Sequence, residues 1–233
     1  MAYTEKIVIS VGGSLIVPNK GIDTVFLDKL NKFIRNQLAN NKNRQFFLVA
    51  GGGQIARHYR DAGESVIKHR LTVEDLDWLG VHATRLNAQL LRTIFRDIAH
   101  PYLIKHYEII RKVSEPVVIA AGWKPGWSTD FDAVLLCEDY HVREVINLSN
   151  IEKIFDKDPN KHKDAKPIDK ISWKNFKKLV GSKWMPGMHA PFDPVAAQRA
   201  EGLGIKVVVL SGHNFENLEN YFKGEKFIGS VIE

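Results

Sequence analysis

The chain has 233 residues, of which 44% are hydrophobic and 26% are charged, as is ordinary for a soluble globular protein. No apolar stretch reaches the roughly 20 residues that a membrane-spanning helix needs. The single cysteine, Cys137, excludes an internal disulfide and a cysteine-based metal cluster. Residues 1–6 carry no signal-peptide pattern, so we expect a cytoplasmic protein without a membrane partner.

The net charge of +6 suits either nucleic acid or small polyanions such as nucleotides as ligands. The densest basic run, residues 157–166, is interrupted by acidic and turn-forming residues. A nucleic-acid surface is more often an uninterrupted basic stripe. We therefore expect nucleotides, and no nucleic acid, as partners.

Six short apolar runs, rich in Val, Ile and Phe, predict β-strands. They lie at 5–11, 45–50, 116–121, 143–148, 205–210 and 226–232. Helical patterns separate most of them, which is typical of βαβ units. The sequence therefore predicts an α/β fold, a three-layer α/β/α sandwich with a central, mainly parallel open sheet. No linker separates independent domains, so residues 1–233 are expected to form one domain with two lobes, 1–140 and 141–233.

Three helix starts are marked by capping residues. Asp23 precedes an apolar stripe in the first crossover. Asp193, followed by Pro194, has the chemistry of a helix start, and that helix is predicted to end near Glu201. Asn214 is expected to cap the last helix.

The longest helix is predicted to run from about residue 72 to residue 98. Its apolar stripe, spaced by three and four residues, consists of Leu76, Leu79, Ala83, Leu86, Leu90 and Ile94. On another face Asp77, Gly80 and Thr84 share one surface. Asp77 supplies a carboxylate and Thr84 a hydroxyl, and Gly80 between them leaves space for a ligand.

Three predicted strands end at glycines. The first leads into Gly12-Gly13-Ser14, the second into Gly51-Gly52-Gly53, and the third into a loop that begins at Gly122. Bare backbone N–H groups at a strand end can approach an anion, and a helix N-terminus that follows adds partial positive charge. Three such turns on one sheet edge indicate two phosphorylated ligands that face each other.

Arg57 follows the second glycine cluster by one helical turn, and helical side chains lean back toward the N-terminus. It can therefore clamp the phosphate that the loop holds, and the plainer alternative is an exposed arginine that pairs with a nearby acid. Neither glycine cluster has the spacing of a dinucleotide-binding G-x-G-x-x-G motif, and the chain has no P-loop. Phosphate binding by a different loop geometry is the remaining interpretation.

Seven motifs follow one another in the order seen in the amino-acid kinase superfamily. They are Val11-Gly12-Gly13-Ser14, Gly51-Gly52-Gly53-Gln54-Ile55-Ala56-Arg57, Thr84-Arg85-Leu86-Asn87-Ala88, Pro125-Gly126-Trp127-Ser128-Thr129-Asp130, Phe155-Asp156-Lys157-Asp158-Pro159, Phe192-Asp193-Pro194-Val195-Ala196-Ala197 and Gly229-Ser230-Val231-Ile232. Over its whole length the chain resembles that superfamily and, more narrowly, the UMP kinases of archaeal type. The resemblance implies the amino-acid kinase fold. It also implies transfer of the γ-phosphoryl group of ATP to UMP, giving UDP and ADP, with Mg²⁺ carried by ATP.

The resemblance further implies the roles of individual residues. The ATP-binding residues are Gly12, Gly13, Ser14, Gly53, Arg57, Ser149, Phe155 and Asp158. The UMP-binding residues are Gly52, Asp77, Gly122, Trp123, Lys124, Pro125, Gly126, Trp127, Ser128 and Thr129, with Asp77 at the ribose hydroxyls. The catalytic residues are Asp130, Arg57, Gly13 and Ser14. A homo-oligomer is implied, a hexamer built from dimers, with the apolar side of the 72–98 helix as one contact.

The phosphate oxygen of UMP is already anionic at neutral pH, so the reaction needs no protein base. Positioning and charge neutralisation are expected to dominate. Asp130 is either a helix N-cap or the residue that organises the catalytic groups or the metal, and we expect the second. Trp123 and Trp127 either stack on a nucleotide or stiffen the loop by packing, and both alternatives stay open. No protein ligand for a metal is predicted.

Three positions depart from the superfamily pattern. Ser10 stands where many members carry a lysine, Gln198 stands where a second lysine is frequent, and Glu152-Lys153 replaces the usual Asp-Gly turn. The groups left to meet the phosphate charge are Mg²⁺, helix ends, Arg57, Lys124 and Lys183. These departures leave two alternatives to a UMP kinase. One is a nucleotide-binding protein of the same fold that senses or stores its ligand, and the other is a kinase with another phosphate or carboxylate acceptor.

Overall fold

The computed structural model describes residues 3–67, 71–107, 109–159, 161–181 and 190–233, so that Lys183 lies outside the described residues. In this part of the chain the strands are β1 (Glu5–Val11), β2 (Arg44–Ala50), β3 (Val117–Ala120), β4 (Glu144–Ser149), β5 (Ile154–Phe155), β6 (Pro167–Ile168), β7 (Lys170–Ile171), β8 (Lys206–Ser211) and β9 (Ser230–Ile232). The helices there are α1 (Gly13–Ile16), α2 (Thr24–Asn40), α3 (Gly53–Ile67), α4 (Val73–Ile94), α5 (Thr129–Tyr140), α6 (Trp173–Val180), α7 (Pro194–Leu203) and α8 (Phe215–Lys223).

A seven-stranded sheet in the order β3-β2-β1-β4-β8-β9-β7 forms the centre of the fold. Neighbouring strands are parallel except β8 and β9, which are antiparallel. The short strands β5 and β6 form a separate antiparallel pair. The prediction of an α/β fold with a mainly parallel sheet is therefore confirmed.

The pairing register brings the carboxyl ends of four strands to one edge of the sheet. Val11 at the end of β1 pairs with Ala50 at the end of β2 and with Leu148 in β4. Ala120 at the end of β3 pairs with Val49. Because parallel strands present the same ends at the same edge, the residues that follow these strands lie close together. The three glycine turns are among them.

Apolar side chains of the strands divide between two cores, one on each face of the sheet. In β1, Val8 belongs to one core and Ile9 to the other, and in β2 Phe47 and Phe46 divide in the same way. Helices α5, α6 and α7 cover the first core, whereas α2, α4 and α8 cover the second. This division follows from the two-residue period of a strand. It confirms the three-layer α/β/α sandwich.

Helices begin at the capping residues that the sequence predicts. Asp23 accepts a hydrogen bond from the N–H of Phe26 at 2.9 Å at the start of α2. Asp193 accepts one from the N–H of Val195 at 2.6 Å at the start of α7, and Asn214 caps α8 in the same way. Each side-chain oxygen pairs with an amide that the first helical turn leaves without a backbone partner.

Helix α4 differs from its prediction in length and in the face that it buries. It ends at Ile94 rather than at residue 98. Of the predicted apolar stripe, Ala83 is buried but Leu86 is 58% exposed. The buried face carries Asp77, Thr84 and Asn87 together with the apolar Val81, Ala88 and Leu91. The reason is that this face meets the glycine turns, whose backbone groups need polar partners.

The C-terminal half differs from its prediction in one strand. The strand predicted at 226–232 is reduced to β9, and it runs antiparallel to β8. The two predicted lobes share one sheet because β1 pairs with β4. Their boundary falls at the end of α5 and stays a prediction. In the described ranges no helix is both long and apolar enough to span a bilayer.

Candidate active site

The first two glycine turns pack backbone against backbone at the sheet edge. The N–H of Gly51 donates to the carbonyl of Val11 at 2.9 Å. A Cβ atom on Gly13 would lie 2.6 Å from the carbonyl carbon of Gly51 and 2.7 Å from the nitrogen of Gly52. Gly53 has φ of +63°, a left-handed conformation that glycine adopts at little cost. Only glycine therefore fits where these two turns meet.

The third turn is held by polar side chains of α4. The N–H of Gly122 donates to Oγ1 of Thr84 at 2.8 Å. Arg85 donates to the carbonyl of Gly122 at 3.2 Å and to that of Trp123 at 2.7 Å. One helix thus fixes both the amide and the carbonyl at the start of the predicted acceptor loop.

Asn87 extends this support to the second turn. Its side-chain amide donates to the carbonyl of Gly51 at 2.8 Å and to that of Gly52 at 3.1 Å. The sequence analysis placed Thr84 on the same helix face as Asp77, but it assigned no role to Arg85 or Asn87, although it quoted the motif that contains them. The signal was present, because polar residues spaced by three share one helix face.

Asp77 fixes the middle of the predicted acceptor loop. Its carboxylate accepts a hydrogen bond from the N–H of Gly126 at 2.8 Å, and burial raises its pKa. Gly126 has φ of +84°, which favours glycine at that position. A contact of Asp77 with ribose hydroxyls stays a prediction. The predicted UMP-binding residues all lie on the second turn, on α4 or along the chain from Gly122 to the start of α5.

Two tryptophans and one lysine form a stack in the acceptor loop. Trp123 is only 9% exposed and packs edge-on against Trp127, with ring centroids 5.0 Å apart. Trp127 in turn packs against Phe131 of α5. The ammonium of Lys124 lies 3.9 Å from the centroid of the Trp123 ring, within reach of a cation–π interaction. These contacts stiffen the loop, as the packing interpretation expects.

Asp130 lies at the carboxyl edge of β1, beside the glycine turns. Ser128, and not Asp130, is the N-cap of α5, because its hydroxyl accepts from the N–H of Phe131 at 3.2 Å. One oxygen of Asp130 accepts from Oγ of Ser10 at 3.2 Å, and the other accepts from the N–H of Asp193 at 3.1 Å. Burial and the charge of Asp193 raise the pKa of Asp130 to about 7.

Asp193 is a site residue that sequence reasoning identified only as a helix cap. It accepts a hydrogen bond from the hydroxyl of Ser128, and burial raises its pKa. It therefore joins the start of α7 to the start of α5. Nothing in the local sequence separates this role from ordinary capping, since both need a carboxylate before a helix.

The predicted donor residues Ser149, Phe155 and Asp158 line one cavity of about 860 Å³. The same cavity is lined by Asn150, Ile151, Lys153, Lys157, Pro159, Lys161, Leu179, Val180, Ala190 and Pro191. Lys153, which stands in the altered turn, forms an ion pair with Asp169. The structure thus brings together three residues that are separated by up to nine positions in the chain.

The predicted phosphate residues Ser14 and Arg57 line a second cavity, of about 890 Å³. Lys20 and His213 line it as well, although the sequence pattern pointed to neither. Nε of Arg57 donates to the side chain of Gln54 at 2.6 Å, which fixes the guanidinium at the cavity wall. Gln198, in contrast, is exposed on α7.

Asn150 lines both cavities, so the two adjoin. A ligand can therefore extend from the first cavity into the second if one end carries a flat ring with hydrogen-bonding groups and the other end carries several negative charges. In the described residues no group of three or more His, Cys, Asp or Glu side chains is placed to hold a metal ion.

The chain is similar in sequence and in structure to known uridylate kinases. A uridylate kinase of Thermoplasma volcanium is 33% identical over 232 residues, 98% of this chain and 98% of that protein. A uridylate kinase of Sulfurisphaera tokodaii is 34% identical over 206 residues, 86% of this chain and 89% of that protein. The crystal structure of uridylate kinase from Archaeoglobus fulgidus has a TM-score of 0.81 at 29% identity and covers 98% of this chain and 100% of that one.

The sequence profile of the amino acid kinase family matches residues 5–211, a span that runs from β1 to β8 and includes all three glycine turns. This match agrees with the order of the motifs and with the parallel sheet whose carboxyl edge carries them. The chain belongs to the amino acid kinase family.

Proposed function

We propose that this protein is a UMP kinase, which transfers the γ-phosphoryl group of ATP to the α-phosphate of UMP and releases UDP and ADP. The observation that carries the proposal is the meeting of three glycine turns at one sheet edge, beside Asp130 and Arg57. Relatives named uridylate kinases match 86% and 98% of the chain.

The acceptor phosphate is expected at the second glycine turn. The amide of Gly51 is bonded to Val11, so the amides of Gly52 and Gly53 and the N-terminus of α3 are expected to supply positive potential there. Asn87 holds the carbonyls of Gly51 and Gly52 away from the anion, which leaves the N–H side of the turn for the ligand. The acceptor needs no deprotonation, so the protein contributes position and charge rather than a base.

The donor nucleotide is expected to extend through both cavities. Phe155 supplies an aromatic surface for the base, and Ser149 and Asp158 supply polar groups for the base and ribose. Ser14, Arg57 and Lys20 line the cavity that we assign to the triphosphate. The two cavities adjoin, so donor and acceptor phosphates meet near the first glycine turn.

We expect Mg²⁺ to enter the site bound to the phosphates of ATP and to neutralise part of their negative charge. Asp130 and Asp193 are two carboxylates that lie next to each other beside β1, and the described residues contain no group of three or more metal-ligating side chains. We assign Asp130 the task of fixing the site. Its two oxygens accept from Ser10 of β1 and from the amide of Asp193 at the start of α7, so Asp130 fixes α7 relative to β1.

We further propose a homo-oligomer in the cytoplasm. Leu86 belongs to the apolar side of the predicted 72–98 helix and is 58% exposed, so we propose that it lies in a subunit contact. Sedimentation of the purified protein tests the assembly, and Leu86→Glu is expected to shift it toward smaller species.

A single assay tests the activity. Purified protein with Mg-ATP is offered UMP, CMP, dUMP, isopentenyl phosphate or acetylglutamate, and release of ADP is measured. The proposal expects turnover with UMP. UMP binding in a calorimeter without ADP release would instead favour a non-catalytic nucleotide-binding protein, and turnover with only a non-nucleotide acceptor would favour a different kinase.

A further inference from the structure

The second cavity gathers basic side chains with little acidic charge to balance them. Lys20, Arg57 and His213 line it. The carboxylate of Asp23 lines it as well, but it accepts a hydrogen bond from the N–H of Phe26 at 2.9 Å and caps α2. In the part of the chain that the structure describes, the side chains of Lys20 and His213 form no hydrogen bond or ion pair. Basic groups that share a cavity in this way attract a polyanion.

The loop of residues 17–23 is bound to the first two glycine turns. It connects α1 to α2 and carries Lys20. The N–H of Val17 donates to the carbonyl of Gly13 at 2.8 Å, and the carbonyl of Val17 accepts from the N–H of Gln54 at 2.9 Å. Gln54 belongs to the first turn of α3, which follows the second glycine turn. The backbone therefore holds the base of this loop beside the two turns where the phosphates are expected.

A fourth glycine turn brings His213 to the same cavity. β8 ends at Ser211, which pairs with Ser149 at the end of β4, so the turn after β8 lies at the sheet edge that carries the other glycine turns. The N–H of Gly212 donates to the carbonyl of Ser149 at 2.8 Å. A Cβ atom on Gly212 would lie 2.2 Å from Cδ1 of Leu15, so this turn packs closely against α1. His213 is the next residue.

The two positions at which the superfamily frequently carries a lysine do not supply a cation here. Ser10 is buried, and its hydroxyl donates to the carboxylate of Asp130 at 3.2 Å. Gln198 is exposed on α7 and is absent from the described lining of both cavities. The negative charge of a donor triphosphate must therefore be met by other parts of the chain.

We propose that Lys20 and His213 bind the β- and γ-phosphates of the donor nucleotide, and that they take the place of the two missing lysines. The ammonium of Lys20 has three donors, and the imidazole of His213 has an N–H donor in either protonation state. They reach the cavity from two loops that are each fixed by backbone hydrogen bonds, and Arg57 lines the cavity beside them. The identity of the donor as ATP rests on the function proposed above.

Calorimetry with Mg-ATP and with AMP tests both residues without any phosphoryl transfer. Lys20→Met removes the charge and keeps most of the side-chain length, and His213→Ala removes the ring. Each should weaken the binding of Mg-ATP about 5-fold or more, through loss of a hydrogen bond to a charged group. Each should leave the binding of AMP within about twofold of the wild type, because AMP lacks the β- and γ-phosphates. Lys20→Arg keeps the charge and should restore the binding of Mg-ATP to within about twofold.

Lys29→Met is the matched control. Lys29 is exposed on α2, nine positions after Lys20, and it is absent from the described lining of both cavities. The substitution removes the same charge, so Lys29→Met should bind Mg-ATP like the wild type. Since Lys20, Lys29 and His213 are exposed, the Tm of all these variants should stay within about 2 °C of the wild type.

Kinetics supply a second readout. Lys20→Met and His213→Ala should raise KM for ATP about 5-fold or more, with KM for UMP within about twofold of the wild type. An equal rise of both KM values would show that these residues do not act on the donor, and it would overturn the proposal.

The outcomes of this proposal and of the proposed function are distinguishable. Wild-type affinity for Mg-ATP in both variants overturns the proposal, and so does an equal loss of affinity for Mg-ATP and AMP or an equal loss in Lys29→Met. Wild-type protein that binds Mg-ATP but does not phosphorylate UMP contradicts the proposed function alone. The comparison of Mg-ATP with AMP then still decides the role of Lys20 and His213.

Discussion

Gly13→Ala probes the contact between the first two glycine turns. A methyl group at Gly13 would lie 2.6 Å and 2.7 Å from backbone atoms of Gly51 and Gly52, whereas ordinary contact begins at 3.4 Å. The turns must therefore separate by about 0.8 Å or more, and backbone atoms cannot rotate away as a side chain can. Overpacking of this kind costs about 1–3 kcal/mol. For a chain of this size that corresponds to a fall in Tm of about 2–12 °C.

The effect of Gly13→Ala on activity should exceed its effect on stability. A displacement near 1 Å at reacting groups costs about 100-fold in rate, and we expect kcat/KM for UMP to fall by about that factor. Scanning fluorimetry gives Tm, and coupled detection of ADP gives kcat/KM. Gly202→Ala is the control, because an added Cβ there meets no atom within 4 Å and alanine suits a helix better. If Gly13→Ala has the Tm and kcat/KM of the wild type, the inference that Gly13 is in close backbone contact with Gly51 and Gly52 is refuted.

Three further substitutions address other parts of the site. Asp130→Asn should lower kcat far more than it weakens UMP binding in a calorimeter, and equal losses would contradict its assignment. The pKa of Asp130 rises from 3.8 in the unfolded chain to about 7 in the folded state, so the wild type loses stability as pH rises between these two values. The Tm of Asp130→Asn should therefore gain on that of the wild type between about pH 4 and about pH 7 and stay level above it. Arg57 lines the cavity that we assign to the triphosphate and follows the second glycine turn, where we expect the acceptor phosphate. Arg57→Ala should therefore weaken the binding of ATP and of UMP about 10-fold or more, and unchanged affinity for both nucleotides would show that its role is wrong. Asn87→Ala removes two buried hydrogen bonds to the carbonyls of Gly51 and Gly52, so we expect a loss of about 1–3 kcal/mol in a denaturant titration; wild-type stability would contradict the bracing role.

The strands and helix starts were predictable because their signals are local. A run such as 45–50 reads as a strand from its own β-branched and aromatic residues, and Asp23 reads as a cap from its position before an apolar stripe. The strand at 226–232 was overestimated. Composition there is compatible with a longer strand, and only the pairing with β8 limits β9 to three residues.

The face of α4 was not predictable from its periodicity. Leu86 belongs to a regular apolar stripe but is exposed, whereas the buried face of α4 carries Asp77, Thr84 and Asn87 beside apolar residues outside that stripe, such as Ala88 and Leu91. Periodicity locates a stripe but does not show what packs against it. The glycine turns come from residues more than 30 positions away in sequence, and their unpaired backbone groups select polar partners.

The sequence by itself determined the parallel α/β fold, the glycines at three strand ends and the family resemblance, because period, capping and motif order are written along the chain. Only the tertiary structure decided that Asp193 meets Asp130, that Asn150 lines both cavities, and that Asn87 binds the carbonyls of Gly51 and Gly52. These relations depend on distances between segments far apart in sequence. Such distances are set by how the sheet and its helices pack, and no local pattern encodes them.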